Sequence, residues 1–486
     1  MNSFVIFIPV ILFFIALLAL SLRKSANTGS DFLKNYFLGD QNLKGFVLAM
    51  TLVATYGSVS SFVSGPGLAW KFGLGWVVFA APQIIAGFLV LGVLGKKLAL
   101  VSRRVKAVTV IDVIAARYRS NALAVLLSVL LLVFFTTMMV GQFIGGAQIV
   151  SQAAGIDYQV GLLIFGLVVV GYTAFGGFKA VVVTDTLCAI LMLVGMFSLA
   201  EALLSQAGGL ENLMSVIATS SSGEALLSPT SAGALPLTLL FSAWILVGFA
   251  TVALPQSVVR CMAYKNTQDL HTAMIVSTVV CGALMIGMTL LGVLARGVIT
   301  DASAFGGNTD AMIPYLISHH MSPWMAGVTL VGPLAATMST VSSLLIAASS
   351  TIIKDLMLRS YPKKPDQTTS VEHTAKVATL ILGIIAILFA MWPLDIIVWI
   401  NMFAFGGLEI AFLCPLVGGL FWRRATLAGA MASVICGLAV YFAIAILKIP
   451  TGGWHSVAPA MLVSLVSFVS VSLITKNRHS LSSFFG

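Results

Sequence analysis

Two stretches of this chain concentrate oxygen-bearing side chains inside apolar sequence. One runs Thr51-Leu-Val-Ala54-Thr55-Tyr56-Gly57-Ser58-Val-Ser60-Ser61-Phe62-Val-Ser64-Gly65-Pro66-Gly67, the other Ala335-Ala336-Thr337-Met338-Ser339-Thr340-Val341-Ser342-Ser343. Neither contains a charged group. Hard cations take oxygen ligands, a rule that extends from calcium and magnesium to sodium. An unwound backbone near Ala54 and Gly57 would offer carbonyls, and Ser339 and Thr340 would offer hydroxyls. A site without formal charge binds weakly, as a carrier that must release its ion requires. The same residues also suit a plainer role, close helix packing with hydroxyls bonded to the preceding turn. Composition alone leaves both readings standing.

Charges at hydrocarbon depth are rare and are functional candidates by default. Glu409, within Phe405-Gly-Gly-Leu-Glu409, is the acid nearest the centre of an apolar segment; it could contact a solute, take a proton or bond a backbone group. Asp185, Glu201 and Asp395 fall nearer segment ends, where an interfacial role is expected. All six histidines fall in loops or near segment ends, which favours sodium over a histidine proton relay. No phosphate-binding glycine loop is present, and the hydroxyl-rich stretches lack an intramembrane histidine base. A nucleotide-driven pump and an intramembrane hydrolase are therefore disfavoured. The five cysteines have no metal-ligand spacing and read as small packing residues.

These residues sit in a chain that is 59% hydrophobic and 9% charged, where soluble domains carry about 25% charged residues. A helix needs about 20 apolar residues to cross a bilayer. The runs predict thirteen crossings in one all-α transmembrane domain: 2–22, 45–70, 74–101, 121–152, 159–177, 184–205, 235–260, 272–296, 323–352, 376–392, 395–421, 426–447 and 456–475. The first run lacks a basic start and a small-residue cleavage site, so it is expected to persist as a helix. With loops assigned alternately, all basic residues but Lys71, Arg296 and Lys448 fall on one side. That side is expected to be cytoplasmic, which puts the N-terminus outside and the C-terminus inside. The net charge of +10 then reports topology, not nucleic acid.

The second segment carries Gly57 and Gly65-Pro66-Gly67; the seventh carries Gly248 and Pro255. Broken membrane helices persist where their freed carbonyls are buried in protein or line a cavity. The two segments lie five apart and run in opposite directions. Segments 2–6 (residues 45–205) and 7–11 (235–421) thus predict two inverted five-helix repeats, with 2–22 and 426–475 added. In such folds solute and ion sites lie at mid-membrane beside the breaks.

Three stretches resemble signatures of the sodium:solute symporter family: Tyr172-Thr-Ala-Phe-Gly176-Gly177-Phe178-Lys-Ala180, Ala336-Thr-Met-Ser339-Thr340, and Gly419-Leu-Phe-Trp-Arg-Arg424 with Gly429-Ala430 and Gly437. The resemblance covers essentially the whole chain and implies the inverted-repeat fold. It implies a sodium (Na+) site of carbonyls at Ala54, Gly57 and Ala336 with hydroxyls of Ser339 and Thr340. Gly57 replaces a larger residue of better-known members, which a carbonyl ligand tolerates. Asp185 matches an acidic position tied to ion passage or a second ion. The solute face would include Ser61, Phe62, Gln83, Thr251 and Pro255, with Phe405 and Glu409 beside them. Within the family, Asn35-Tyr-Phe-Leu-Gly39, Lys71-Phe-Gly-Leu-Gly-Trp76, Arg260-Cys-Met-Ala-Tyr-Lys265 and Ala404-Phe-Gly-Gly-Leu-Glu409 are similar to members that carry pantothenate. The implied function is sodium-driven uptake of pantothenate across a bacterial inner membrane. A family symporter for proline, a sugar or a monocarboxylate is the alternative, and a solute sensor a more distant one. No basic residue is expected at mid-membrane to meet the solute carboxylate; helix N-termini and hydroxyls would receive it.

Overall fold

A computed structural model of the chain describes residues 3–23, 37–38, 41–359, 368–392, 396–476 and 484. Asp395 and part of the Asn35–Gly39 stretch lie outside the described residues.

The described residues are almost wholly helical, as a backbone in hydrocarbon must be to satisfy its own polar groups. The spanning elements are α1 (Ser3–Arg23), α2 (Gly45–Tyr56), α3 (Ser60–Phe72), α4 (Leu74–Arg104), the short connecting α5 (Val110–Tyr118), α6 (Asn121–Ala154) and α7 (Tyr158–Ala207). There follow α8 (Leu237–Ala253), α9 (Pro255–Met262), α10 (Thr267–Ala295), α11 (Pro323–Leu358), α12 (Thr368–Ala390), α13 (Ile397–Phe421), α14 (Leu427–Leu447) and α15 (Val457–Ile474). Ten are long and apolar enough to cross a membrane, twelve if each bent pair is one span. The bent pairs are α2–α3, at 68°, and α8–α9, at 46°. Residues such as Leu167, Val279 and Ile474 expose apolar side chains outward, as a lipid-facing surface does. α11 is the most enclosed span and lies at the centre.

The breaks follow local chemistry. In the first pair the chain leaves the helix at Gly57 (ψ 113°) and resumes at Ser60. The expected second break at Gly65-Pro66-Gly67 does not occur. A wide turn over Ser60–Ser64, in which the Gly65 amide reaches back to the Ser60 carbonyl, takes up the register that Pro66 would disturb. In the second pair Gly248 leaves helical geometry, and Leu254 is extended (ψ 110°) because the Pro255 ring excludes the helical conformation before it.

Three further expectations are corrected. Asp185 does not end a segment: α7 runs 50 residues, turning at Gly177 (φ 63°), and Asp185 is fully buried beyond that turn. Arg260, assigned from charge counting to a basic loop, is 1% exposed inside the bundle. The 206–234 connection, expected as a loop, contains helices Leu210–Thr219 and Gly223–Leu227.

Candidate ion and solute site

Unwinding at the first break frees backbone groups, and distant side chains take them up. Ser339 Oγ lies 2.9 Å from the Ala54 carbonyl oxygen, and Thr340 Oγ1 lies 2.9 Å from that of Gly57. Both hydroxyls also reach the Ala336 carbonyl, at 3.1 and 3.0 Å. The Val59 amide donates to Gln142 Oε1 at 3.0 Å. Five oxygens therefore converge between α2 and α11: three carbonyls and two hydroxyls, from residues 54, 57, 336, 339 and 340. Ala54, Ala336 and Ser339 are fully buried and Thr340 is 2% exposed. No formal charge lies among them. Ligands to a cation at about 2.4 Å stand roughly 3.4 Å apart at right angles. A slight expansion, with the two hydroxyl protons turned outward, fits the cluster to a desolvated hard cation.

Elsewhere in the 335–343 stretch the hydroxyls do other work. Thr337 bonds back to Pro333, and Ser342 to Ser339. Ser343 belongs to a second centre one turn further along α11. There Arg260 Nη2 lies 3.0 Å from Asp185 Oδ2 and 2.8 Å from Ser343 Oγ, while Arg260 Nε donates to Thr51 Oγ1 at 3.1 Å. Thr51 in turn donates to the same Asp185 oxygen at 2.7 Å. Asp185 Oδ1 has no hydrogen-bond partner.

A narrow cavity opens against the first break. Of the predicted solute residues it is lined by Ser61, Gln83, Thr251 and Phe405. Its polar wall also includes Tyr56, Ser58, Ser60 and Asn401; Trp76, Phe79, Met285 and Met402 form an apolar wall. Trp76 stacks on Phe79 at 4.2 Å and meets Trp399 edge-on at 6.1 Å. Asn401 Nδ2 donates to Ser60 Oγ, tying α13 to α3. The remaining three expectations fall elsewhere. Phe62 is fully buried and faces away. Pro255 lines a separate, smaller cavity with Arg260, Ser343 and Thr109. Glu409 is buried and lines neither. Tyr56, Trp76 and Asn401 were not singled out from sequence. Tyr56 was within reach, because it adjoins Gly57, and Trp76 ends the Lys71–Trp76 stretch; Asn401 carried no local signal.

Both ends of the bundle are tied. At the base-poor end, Asp310, buried in the connection before α11, accepts from Ser64 Oγ and from the Ile397 amide at 3.1 Å. At the basic end, Arg359 pairs with Asp112 at 2.8 Å, Thr109 donates to Asp355 at 2.8 Å, and Arg117 caps the Gly419 and Ala425 carbonyls.

The family model described as "Sodium:solute symporter family" matches residues 36–437. The chain is 43% identical over 467 residues to the sodium/pantothenate symporter of Escherichia coli (strain K12), covering 96% of this chain and 95% of that one. It is 40% identical over 451 residues to the sodium/pantothenate symporter of Haemophilus influenzae, covering 93% and 92%. The substrate-bound, outward-open structure of a Na+-coupled sialic acid symporter shares the fold, with TM-score 0.78 at 18% identity over 97% of this chain and 98% of that one. With a family model spanning most of its length and relatives of this identity over nearly all of it, the chain belongs to the sodium:solute symporter family and is a sodium-coupled secondary active transporter of a small solute, not an enzyme.

Proposed function

We propose that the chain carries pantothenate into the cytoplasm of a bacterium together with sodium, by alternating access. The observation that carries the reading is the shared break: the backbone that supplies the Ala54 and Gly57 carbonyls to the five-oxygen cluster continues directly into Ser58, Ser60 and Ser61 of the cavity. Occupancy of one centre thereby shapes the other, which is what reciprocal coupling of ion and solute requires. Two relatives named as sodium/pantothenate symporters supply the solute. Its carboxylate would sit at the start of α3 among Ser58, Ser60 and Ser61, where helix N-terminal amides favour an anion. Its hydroxyls and amide would meet Gln83, Thr251 and Asn401, and its methyl groups the Trp76–Phe79 wall.

The fold reading extends in the same way. Residue 177 divides α7, whose length of about 75 Å is more than twice the hydrocarbon thickness of about 30 Å; counting it as two spans gives thirteen. The two breaks then fall at equivalent places in two inverted repeats, residues 45–205 and 235–421, with the N-terminus periplasmic and the C-terminus cytoplasmic. Asp185 would act on ion passage: an inward-moving cation meets a carboxylate that Arg260 already holds.

Stoichiometry sets accumulation. A tenfold sodium gradient supplies about 1.4 kcal/mol, and 100 mV adds about 2.3 kcal/mol per net charge. One sodium with one anion moves no net charge and yields about tenfold accumulation. Two sodiums would yield several thousand-fold.

The test is radiolabelled pantothenate uptake in proteoliposomes under an inward sodium, potassium or proton gradient. Sodium-dependent accumulation, lost in Ser339→Ala/Thr340→Ala, is the expected result. Sodium-driven uptake of proline, a sugar or a monocarboxylate, with none of pantothenate, would discard the solute. No sodium dependence for any solute would overturn the mechanism.

A further inference from the structure

Val398, Asn401, Met402 and Phe405 form the stripe of α13 that faces the solute cavity. Glu409 follows Phe405 by four residues and so lies one helical turn further along that stripe, towards the basic end. It is fully buried, and neither carboxyl oxygen has a hydrogen-bond partner.

Among the described residues, nothing charged answers it. Among the elements packed against α13, α6 and α15 carry no ionisable side chain in their described sequences, and the Lys71 of α3 lies at the opposite end of the bundle. From α14 comes Tyr441, whose hydroxyl donates to the Phe403 carbonyl at 3.0 Å. From α2 comes Tyr56, whose hydroxyl also lacks a partner. α8 presents Thr251, while Arg260 of α9 is held by Asp185, Thr51, Ser343 and the Gln256 carbonyl. Arg117 of α5 is directed to carbonyls beyond the end of the stripe. Cys414, next along α13, contacts Ser464.

An ionised carboxylate left without a cation or donor in hydrocarbon is penalised by several kcal/mol; a neutral acid is far easier to bury. We propose that Glu409 is a proton-binding site of the transporter: it holds a proton while its carboxyl is buried, as here, and releases it when α13 and the broken helices part and water reaches the stripe. The idea rests on reading the adjoining cavity as the solute path. An ionised Glu409 on that path repels an anionic solute and so favours its departure, whereas the neutral acid lets it approach.

The test has two arms on the full-length protein in lipid vesicles. Infrared difference spectra on a pH jump are expected to show a protonated-carboxyl band at neutral pH that Glu409→Gln removes. Under a fixed sodium gradient, acidifying the vesicle interior is expected to slow pantothenate uptake several-fold in the wild type and to leave the Gln variant unchanged. Absence of the Glu409 band at neutral pH, or the same interior-pH dependence in Glu409→Gln, would overturn the proposal. The infrared arm needs no transported solute, so a wrong solute assignment and a wrong proton site give different results.

Discussion

Two buried polar centres sit on the same pair of helices, one turn apart, and are built on opposite principles. Upstream on α11, Ser339 and Thr340 face the Ala54 and Gly57 carbonyls. One turn on, Ser343 faces Arg260, which is paired with Asp185 and Thr51 of α2. The first centre has oxygens and no charge, so a cation entering it would meet only neutral ligands. The second already contains its cation, a guanidinium fixed to the chain. A neutral oxygen cluster and a charged pair thus lie one turn apart along α11.

The largest effect should come from breaking the charged centre. Arg260→Met leaves Asp185 buried with only Thr51 for support, and removing one partner of a buried pair costs about 3–5 kcal/mol. Thermal unfolding in detergent should show that loss, with much of it recovered in Arg260→Met/Asp185→Leu. A single variant as stable as the wild type would mean that the pair does not close the second centre. Next comes the neutral centre. Ser339→Ala and Thr340→Ala each delete one of five oxygens, a loss of about 1.4 kcal/mol. The sodium concentration for half-maximal uptake should rise about tenfold in each, with the fold left intact. Sodium-dependent thermal stabilisation gives the same reading without transport. If these variants lose fold stability and keep sodium affinity, the hydroxyls serve packing instead.

How much of this could be read in the sequence differs between the two centres for a physical reason. The neutral cluster was legible because hydroxyls and a glycine stand out inside apolar runs, and Ser339 and Thr340 do face the Ala54 and Gly57 carbonyls, as an ion site there would require. Position along a span was legible through hydropathy. The charged centre was misread, because counting basic residues by loop put Arg260 at the surface. What turns it inward is Asp185, 75 residues away, and no local pattern carries that contact. Gly65-Pro66-Gly67 misled in the other direction. A proline predicts a break only when the preceding turn cannot widen, and Ser60–Ser64 does widen. The cavity was half legible for the same reason: Ser61, Gln83, Thr251 and Phe405 line it, while Trp76 and Asn401 arrive from neighbouring helices that only the packed fold brings together.

The cavity offers a sharper version of the comparison, because residues a few positions apart should separate. Gln83→Ala, Thr251→Ala and Ser61→Ala each remove one polar contact worth about 1 kcal/mol and should raise the pantothenate concentration for half-maximal uptake about fivefold. Phe62→Leu and Pro255→Ala, which lie off the cavity, should leave it unchanged. A rise with Phe62→Leu equal to that with Ser61→Ala would move the solute to another face of α3.

The smallest expected effect bears on what makes the neutral centre an ion site at all. Gly57 contributes a carbonyl, not a side chain, and its φ of −63° is open to any residue. A methyl group there would meet the Met192 sulfur at 2.8 Å and the Val53 carbonyl at 3.3 Å. The first contact is the far end of a flexible thioether on α7, which can swing aside; the second is tight but not prohibitive. Gly57→Ala should therefore change sodium affinity by less than about twofold and lower stability by less than about 1 kcal/mol. Set beside the tenfold effect expected of Ser339→Ala, that near-silence would locate the ligand in the backbone oxygen, held by the unwound chain whichever small residue carries it. A tenfold loss in Gly57→Ala instead would show that the break depends on close approach of α7, and that the site is shaped by packing around the carbonyls as much as by the carbonyls themselves.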